Sequence, residues 1–302
     1  MNRRWLLWLI PILIFAWIMT VSIPGKKVEG CLDGCAVPDS VGDGTLRLIS
    51  LNMLHGFPRF EFLDSRLRVI AQEIIRLNPD LVLFQEVPWT LTRGNAAEFL
   101  ASETGMNYAY VRANGNRWAI AFEEGEAILS RFPLKDPSFS VLQPRAGFFE
   151  NRVILHAKVE TPMGRVGIYV THLTHGDMEL NQSQTENLLS IVNTQDVLYS
   201  IVAGDFNALP HSPQIKGLKI EWVDTFDKLT GRGEGYTCCI KSINQEAAQL
   251  IKQIDYVFIV PREFTPPYIS ADLVFDEPFS SEDGWVWASD HAGWMVDIGV
   301  LP

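Results

Sequence analysis

Basic residues are in the minority. Lysine and arginine number 25 against 36 aspartates and glutamates, for a net charge of −11. Sequence-blind nucleic-acid binding is dominated by phosphate contacts from a basic surface. An acidic body repels polyanions at long range, which argues against avid non-specific binding, leaves room for a local basic groove and fits a site that concentrates metal cations. The signatures of several common enzyme classes are also missing. The sequence has no Gly-x-Ser-x-Gly nucleophile elbow, no P-loop, no His-Glu-x-x-His helix and no Gly-x-Gly-x-x-Gly turn. It has no repeats and no low-complexity tracts. Cysteines number only four, in two close pairs, Cys31 with Cys35 and Cys238 with Cys239. Their spacing argues against a structural zinc site, because adjacent cysteines seldom both hold one metal. Two readings stay open for them: disulfides, one of which ties the N-terminal segment to the 238–239 loop, or free thiols in a reducing compartment.

Charge is absent altogether from Trp5 to Ile23, with Arg3 and Arg4 before the run and Lys26 and Lys27 after it. That length is close to the ~20 apolar residues that span a bilayer. It exceeds the apolar region of an ordinary signal peptide, and Thr20-Val21-Ser22 is a poor cleavage site. Residues 1–23 are read as an uncleaved transmembrane anchor, with a cleaved leader (hence a secreted protein) or a buried helix as alternatives. Basic flanks on both sides leave the orientation open, and an export-type N-terminus favours an extracytoplasmic catalytic domain. Residues 24–44, broken by Pro24, Gly25, Gly30, Gly34, Pro38, Gly42 and Gly44, read as a linker. Residues 45–302 show no further shift in composition and read as one catalytic domain.

Within that domain, apolar residues change period repeatedly. Leu46 to Asn52 reads as a strand, and Leu63, Leu67, Ile70, Ile74 and Leu77 lie at helical spacing, ended by Asn78-Pro79. Asp80 to Val87 is a buried strand, Ala96 to Thr104 a helix, and Glu126 to Ser130 a strand. Val153 to Val159 and Val166 to Leu173 flank Thr161-Pro162-Met163-Gly164, a hairpin signal. Leu180 to Val192 reads as a helix; Ser200 to Gly204, Ile254 to Val260, Ala271 to Phe275 and Gly293 to Val300 read as strands. Hairpins mixed with helices argue for an antiparallel or mixed pair of sheets with helices outside.

Polar residues collect where the buried strands end. Asn52, Glu86, His172 and Asp205 each close such a run, with Asn207 two residues beyond Asp205, and Ser289-Asp290-His291 precedes the last strand. Buried carboxylates must be paired, hydrogen-bonded or metal-bound. Oxygen ligands such as Glu86, Asp205, Asp290 and Asn52 suit a hard cation, which for Mg²⁺ also takes waters and phosphate oxygens. His172 and His291 offer proton transfer or positive charge. Metal-assisted hydrolysis of a phosphate ester is the chemistry that remains.

These residues also carry a family resemblance. Ser50-Leu51-Asn52, Pro79-Asp80 through Gln85-Glu86-Val87, Glu126 to Pro133, Thr171-His172-Leu173, Gly204-Asp205-Phe206-Asn207, Ile254-Asp255-Tyr256 and Ser289-Asp290-His291 stand in the order found in the endonuclease/exonuclease/phosphatase superfamily. The chain resembles that superfamily from about Leu46 to about Ile298. The resemblance implies an α+β fold: a four-layer α/β sandwich of two mostly antiparallel mixed β-sheets, packed face to face and flanked by helices, here with an N-terminal transmembrane helix. It implies that Glu86 is the main Mg²⁺ ligand, with Asn52 and Asp290 nearby, Mn²⁺ being an acceptable substitute. Asp205 would activate the attacking water, and Asn207 would hold Asp205 and a phosphate oxygen. His291, its tautomer fixed by Asp255, and His172 would stabilise the phosphoryl group, with Arg152 as the phosphate-facing arginine.

The expected function is a membrane-anchored, Mg²⁺-dependent phosphodiesterase of the nuclease type. A sphingomyelinase-type enzyme acting on a phospholipid head group, a phosphatase of inositol or other small phosphates, and an inactive membrane-displayed binding protein are the alternatives. Partners would be a phosphate-ester substrate, whether nucleic acid or phospholipid head group, and the membrane through residues 5–23; no protein partner is implied. If DNA is the substrate, Arg112, Arg117, Arg145 and Arg152 are the residues expected to hold it.

Overall fold

A computed structural model describes residues 4–20, 22–36, 44–147, 149–192, 196–227, 235–262, 266, 268–282 and 284–299. The chain runs α1 (Arg4–Thr20), β1 (Glu29–Cys31), β2 (Thr45–Asn52), α2 (Leu63–Leu77), β3 (Leu81–Thr90), β4 (Gly94–Asn95) and α3 (Ala96–Thr104). It continues through β5 (Asn107–Asn116), α4 (Arg117–Ile120), β6 (Phe122–Ser130), β7 (Lys135–Val141), β8 (Val153–Thr161), β9 (Gly164–His172) and α5 (Met178–Ile191). Then follow β10 (Tyr199–Asp205), α6 (Pro213–Leu218), β11 (Val223–Asp224), β12 (Asp255–Pro261), β13 (Tyr268–Val274), β14 (Phe279–Ser281), β15 (Gly284–Val286) and β16 (Gly293–Gly299).

Two sheets form. The first has the order β1-β5-β6-β3-β2-β16-β13, with β4 added to β3; the second has the order β11-β12-β10-β9-β8-β7. Pairing is antiparallel except for β2 with β3 and β9 with β10. The continuous apolar runs of β2, β3 and β10 follow from burial on both faces. Leu48 and Leu83 face the inter-sheet core with Leu155, Ile168 and Ile201 of the second sheet. Their neighbours Ile49, Val82 and Phe84 point the other way, onto Leu67 and Ile70 of α2 and Leu100 of α3. On the far side Val202, Tyr256 and Phe258 pack against Leu188 of α5 and Ile215 and Leu218 of α6. These three apolar seams separate four layers, as the family resemblance implies. Leu67 is fully buried, so Leu67→Ala would cost about 2–5 kcal/mol.

α2 buries the Leu63, Leu67, Ile70 and Ile74 face and ends at Asn78, whose left-handed backbone donates its N–H to Ile74 O. α3 starts on the Asn95 side chain, which accepts from Ala97 N, and ends at Gly105. The helical and strand patterns in the sequence therefore place these elements within a few residues; Val300, expected to end the last strand, lies outside the described residues.

Three expectations change at the N-terminus and the cysteines. Among the described residues the apolar run is helical over Arg4–Thr20, 17 residues with Pro11 inside. At ~1.5 Å per residue that is about 25 Å, short of the ~30 Å hydrocarbon core. No helix among the described residues is long and apolar enough to cross a membrane. The expected linker is partly structured, though its residues 37–43 lie outside the described residues. Glu29–Cys31 pairs antiparallel with β5, Gly25 N donates to Arg112 O at 2.8 Å, and Leu134 N donates to Leu32 O at 2.7 Å. The reason is the open edge of β5, whose backbone groups recruit a further strand. Finally, each cysteine is bridged to its near neighbour, Cys31 to Cys35 and Cys238 to Cys239. No disulfide ties the N-terminal segment to the 238–239 loop, because Cys31 lies on the β5 edge while Cys238 bridges His291 at the end of the sandwich.

Candidate active site

Strands β2, β3, β9 and β10 end at one end of the sandwich, and β8, β12 and β16 begin there. The parallel register sets His172 beside Asp205, and the antiparallel register sets Asp205 beside Asp255. Gly204, one residue earlier, has φ +151°, and a Cβ there would lie 1.9 Å from Thr171 O. Only glycine allows β10 to approach β9 this closely. Glu86 reaches the same place by another route. Between Phe84 and Val87, β3 gains one residue on β6, a β-bulge, and Glu86 itself takes φ 56°. The bulge turns Glu86 out of strand alternation and into the end of the sandwich. Gly125, opposite Val87 on β6, serves the other neighbour: a Cβ there would meet Val111 O of β5 at 1.9 Å.

Asn52 joins the two carboxylates: its Nδ2 donates to Glu86 Oε1 at 3.2 Å and to Asp205 Oδ2 at 3.1 Å. Its Oδ1 accepts from Leu54 N at 3.1 Å, so Asn52 is held from both sides while its Nδ2 positions Glu86 and Asp205. His55 N donates to Glu86 Oε2 at 3.1 Å. Asp205 Oδ1 accepts from Asn207 N at 2.8 Å. Asn207 Nδ2 donates to His172 Nε2 and to Leu173 O, both at 3.0 Å, and its Oδ1 accepts from His175 Nδ1 at 2.9 Å. His291 Nδ1 donates to Asp255 Oδ2 at 2.9 Å, while its Nε2 stands 3.9 Å from Asp205 Oδ2. Asp255 is held in turn by Thr237 Oγ1, which donates to the same oxygen at 2.6 Å. Ser289 Oγ donates to Asn52 O at 2.6 Å and so ties the Asp290 loop to β2.

The electrostatics separate these groups. Burial alone would raise Glu86, but the positive charge and backbone N–H of His55, with other imidazoles, hold it down at about 2. Burial and then Asp255 push Asp205 up to about 7, opposed by His291. Burial disfavours charge on His291 too, yet Asp255, Asp205 and Asp290 outweigh it and raise the imidazole well above its usual range. His172 goes the other way: burial and the Arg152 charge hold it well below the usual range, so it is neutral at pH 7. Burial raises Asp290, with His291 opposing.

Glu86, Arg152, His172, Asp205, Asn207, Asp290 and His291 all line one cleft of about 730 Å³. Every site residue expected from the sequence therefore converges here, with Asn52 and Asp255 one hydrogen bond behind. Two histidines outside the sequence motifs, His175 and His211, also line the cleft, as do Lys252 and the Cys238–Cys239 disulfide. Thr237 carries no signal in the sequence; only the folded loop brings it to Asp255. A second hollow of about 960 Å³, lined by His55, Arg59 and Lys241 among others, meets the first at Asp290. Of the four arginines expected to grip DNA, Arg152 lines the cleft and two others are placed otherwise. Arg112 and Arg117 both bind the buried Glu123, at 2.6 Å each, because that carboxylate cannot stay charged and unpaired in the interior.

The donor set fits a hard divalent cation. Glu86 and Asp290 face the same cleft, and among the described residues neither makes an ion pair with lysine or arginine. Donor atoms of Asp205, Asp255 and His291 also lie within 4.8 Å of one another, but His291 Nδ1 is committed to Asp255 at 2.9 Å, and its Nε2 faces Asp205 across 3.9 Å.

The known proteins agree with this geometry. The profile of the Endonuclease/Exonuclease/phosphatase family matches residues 49–291. No curated protein matches. A family protein from Bacteroides thetaiotaomicron superposes with a TM-score of 0.67 at 15% identity, covering 85% of this chain and 98% of that one. One from Leptotrichia buccalis gives 0.65 at 18%, covering 84% and 99%. D. rerio TDP2, solved with a single-strand DNA product, gives 0.63 at 18%, covering 85% and 100%. At these identities the structures establish a shared fold, and the profile spans every strand end that carries the site, from β2 to His291. The chain belongs to the endonuclease/exonuclease/phosphatase family, metal-dependent hydrolases of ester bonds.

Proposed function

We propose that this protein is a Mg²⁺-dependent phosphodiesterase, with Mn²⁺ able to substitute. The observation that carries the reading is Asn52, which binds Glu86 at 3.2 Å and Asp205 at 3.1 Å. One amide thereby fixes a low-pKa carboxylate suited to a cation beside a high-pKa carboxylate suited to a proton. Glu86, with Asp290, would hold the ion, which when bound neutralises phosphate charge and assists departure of the leaving oxygen. Asp205 accepts the proton of the attacking water, and the Asn207 N–H aims its carboxylate. His291, kept cationic by Asp255, faces the charge that builds on the phosphoryl oxygens. His172, neutral and fixed by Asn207, lies beside Asp205 with Arg152 supplying the nearby positive charge. Two hollows meeting at Asp290 give room for two substituents on phosphorus, which favours a diester over a monoester.

Membrane attachment through residues 5–23 belongs to the same reading, supported by the charge-free run and by the exposed apolar side chains of α1. The two disulfides support an oxidising, extracytoplasmic compartment. A nucleic-acid substrate is the second reading: TDP2 was solved with a DNA product. The test is Mg²⁺-dependent hydrolysis of bis(p-nitrophenyl) phosphate and nicking of supercoiled plasmid by the full chain, with Asp205→Ala as control. Diester turnover by wild type alone is expected; equal turnover by the folded variant would refute the assignment.

A further inference from the structure

Between β11 and β12 the described residues form no helix and no strand, yet Cys238, Cys239, Lys252 and Ile254 among them supply one wall of the cleft. Backbone hydrogen bonds hold that wall. Cys238 is bridged on one side to Lys252 and on the other to His291. Cys238 N donates to Lys252 O at 2.9 Å, and Lys252 N donates back to Cys238 O at 2.8 Å. Toward the catalytic loop, Ala292 N donates to Thr237 O at 2.7 Å and Ile240 N to Asp290 O at 2.9 Å. The two cysteines thus lie between two residues that grip the site. Thr237 donates its hydroxyl to Asp255 Oδ2 at 2.6 Å, and Ile240 holds the main chain of Asp290. Support beyond them is thin: Ile240, Ile243 and Trp287 form a small apolar cluster of their own, apart from the three seams of the sandwich.

The disulfide joins Cys238 to its next neighbour in sequence. A disulfide stabilises a fold chiefly by closing a loop in the unfolded chain, and more so for longer loops. A bridge between adjacent residues closes almost none, so global stability does not account for it. Its effect is local, on the backbone between Thr237 and Ile240. The Cys31–Cys35 bridge lies on the β5 edge instead and does not line the cleft. Cys238 is buried and Cys239 half-buried, so Cys239 is the residue open to a thiolate that enters the cleft.

We propose that the Cys238–Cys239 disulfide is a positioning element for the Asp255–His291 pair and for Asp290, and that its reduction by a dithiol slows the enzyme. The catalytic half rests on the phosphodiesterase reading above; the positioning half does not. A thiolate of the dithiol attacks the Cys239 sulfur, and the Cys238 sulfur leaves and takes up a proton. The second thiol of the reagent then displaces Cys239, which is protonated in turn. Two electrons and two protons pass to the cysteines, and the reagent departs as its cyclic disulfide. Two sulfurs that are no longer bonded must part to van der Waals contact. The backbone of Cys238 is pinned to Lys252, so the displacement falls on Cys239 and Ile240 and slackens the hold on Asp290 and Asp255. A chain in a reducing compartment carries the slack wall, and one in an oxidising compartment the tight wall.

The test uses the full chain in detergent micelles with Mg²⁺ and bis(p-nitrophenyl) phosphate, before and after dithiothreitol and again after oxidised glutathione. Loss of a hydrogen bond in the support of His291 and Asp290 should lower kcat about three- to tenfold with KM unchanged, and reoxidation should restore it. Cys238→Ser combined with Cys239→Ser, its fold checked by circular dichroism, should work at the reduced rate and ignore the dithiol. Cys31→Ser combined with Cys35→Ser should respond as wild type does. Full kcat in the folded 238/239 variant, or a dithiol response in it equal to that of wild type, would overturn the proposal. Amide exchange read by NMR is independent of turnover. The Ile240 and Ala292 amides should exchange about tenfold faster on reduction, while Val202 in β10 stays protected. Unchanged exchange at both, with mass spectrometry after alkylation showing both thiols free, would remove the positioning role. Faster exchange in a wild type that turns over no diester, oxidised or reduced, would refute the phosphodiesterase reading and leave the positioning role standing.

Discussion

Glu86 and Asp205 are acids joined by one asparagine, yet their surroundings push them apart. Glu86 lies on a bulge at the mouth, its side chain 19% exposed, with imidazoles nearby, and it is held at about 2. Asp205 lies at the foot of β10, almost wholly buried and opposite Asp255, and it is pushed up to about 7. The difference teaches that role follows environment and not residue type. A carboxylate that stays ionised suits a cation, and one poised near neutrality suits a proton. The first belongs to the sheet built on β2 and β3, the second to the sheet built on β9 and β10. The reacting phosphorus would sit where the two sheets open.

The widest separation should appear when each acid is replaced by its amide. Asp205→Asn should lower kcat by about 10³-fold while Mg²⁺ affinity, read by calorimetry, changes little. Glu86→Gln should weaken Mg²⁺ binding on the order of 100-fold or more. Equal losses of affinity in the two variants would collapse the distinction drawn here.

Smaller effects sharpen it. Thr237→Val removes one hydrogen bond to the Asp255–His291 pair, and a bond to a charged group is worth about 1.5–3 kcal/mol. About a tenfold fall in kcat with KM unchanged is expected, together with a shift in the pH profile that a merely structural role would not produce. In wild type, kcat should fall by about tenfold per unit as pH drops below the pKa of Asp205. That limb lies at about 7 or lower, since a bound cation pulls it down, and a flat acidic side would remove Asp205 as the base.

The smallest effect concerns stability, and its sign is opposite to that of activity. The folded pKa of Asp205 is raised, so the folded state holds the proton more tightly than the unfolded chain. Its stabilising contribution is complete below the unfolded value of ~3.9 and is lost as pH rises through about 7. At pH 8 the buried charge is a cost, so Asp205→Asn should raise Tm by about 2–4 °C, with less gain at pH 5. A lower Tm at pH 8, measured by calorimetry, would mean the aspartate is stabilised by contacts beyond those described.

Much of this was legible in the chain. The apolar run Leu81-Val82-Leu83-Phe84 ends in Gln85-Glu86, and Ile201 to Gly204 ends in Asp205. A buried strand must deliver such polar residues to a polar place. The helical spacing of Leu63, Leu67, Ile70 and Ile74 fixed α2 because one face had to be buried. Other features were not legible. Glycines at 25 and 30 mark loops by composition, yet the unsatisfied edge of β5 captures that segment as β1. Arg112 and Arg117 read as free cations until the buried Glu123 is seen to take both. That the amide nitrogen of Asn52 lies between the two acids shows only in the folded chain.

What the sequence determined by itself is therefore the local alternation: most of the strands and helices that carry the site, which strand ends carry acids, amides and imidazoles, and that the N-terminal run is apolar. These depend on periodicity and on the cost of burying polarity, both of which act along the chain. Only the tertiary structure decided the pairings between distant segments. It brought Thr237 to Asp255, bulged β3 so that Glu86 turns toward the cleft, bridged each cysteine to its neighbour, and seated Ser22 against Asn114 of β5. Such contacts are settled by which sheet edges and buried charges find partners in space, and sequence distance carries no record of that.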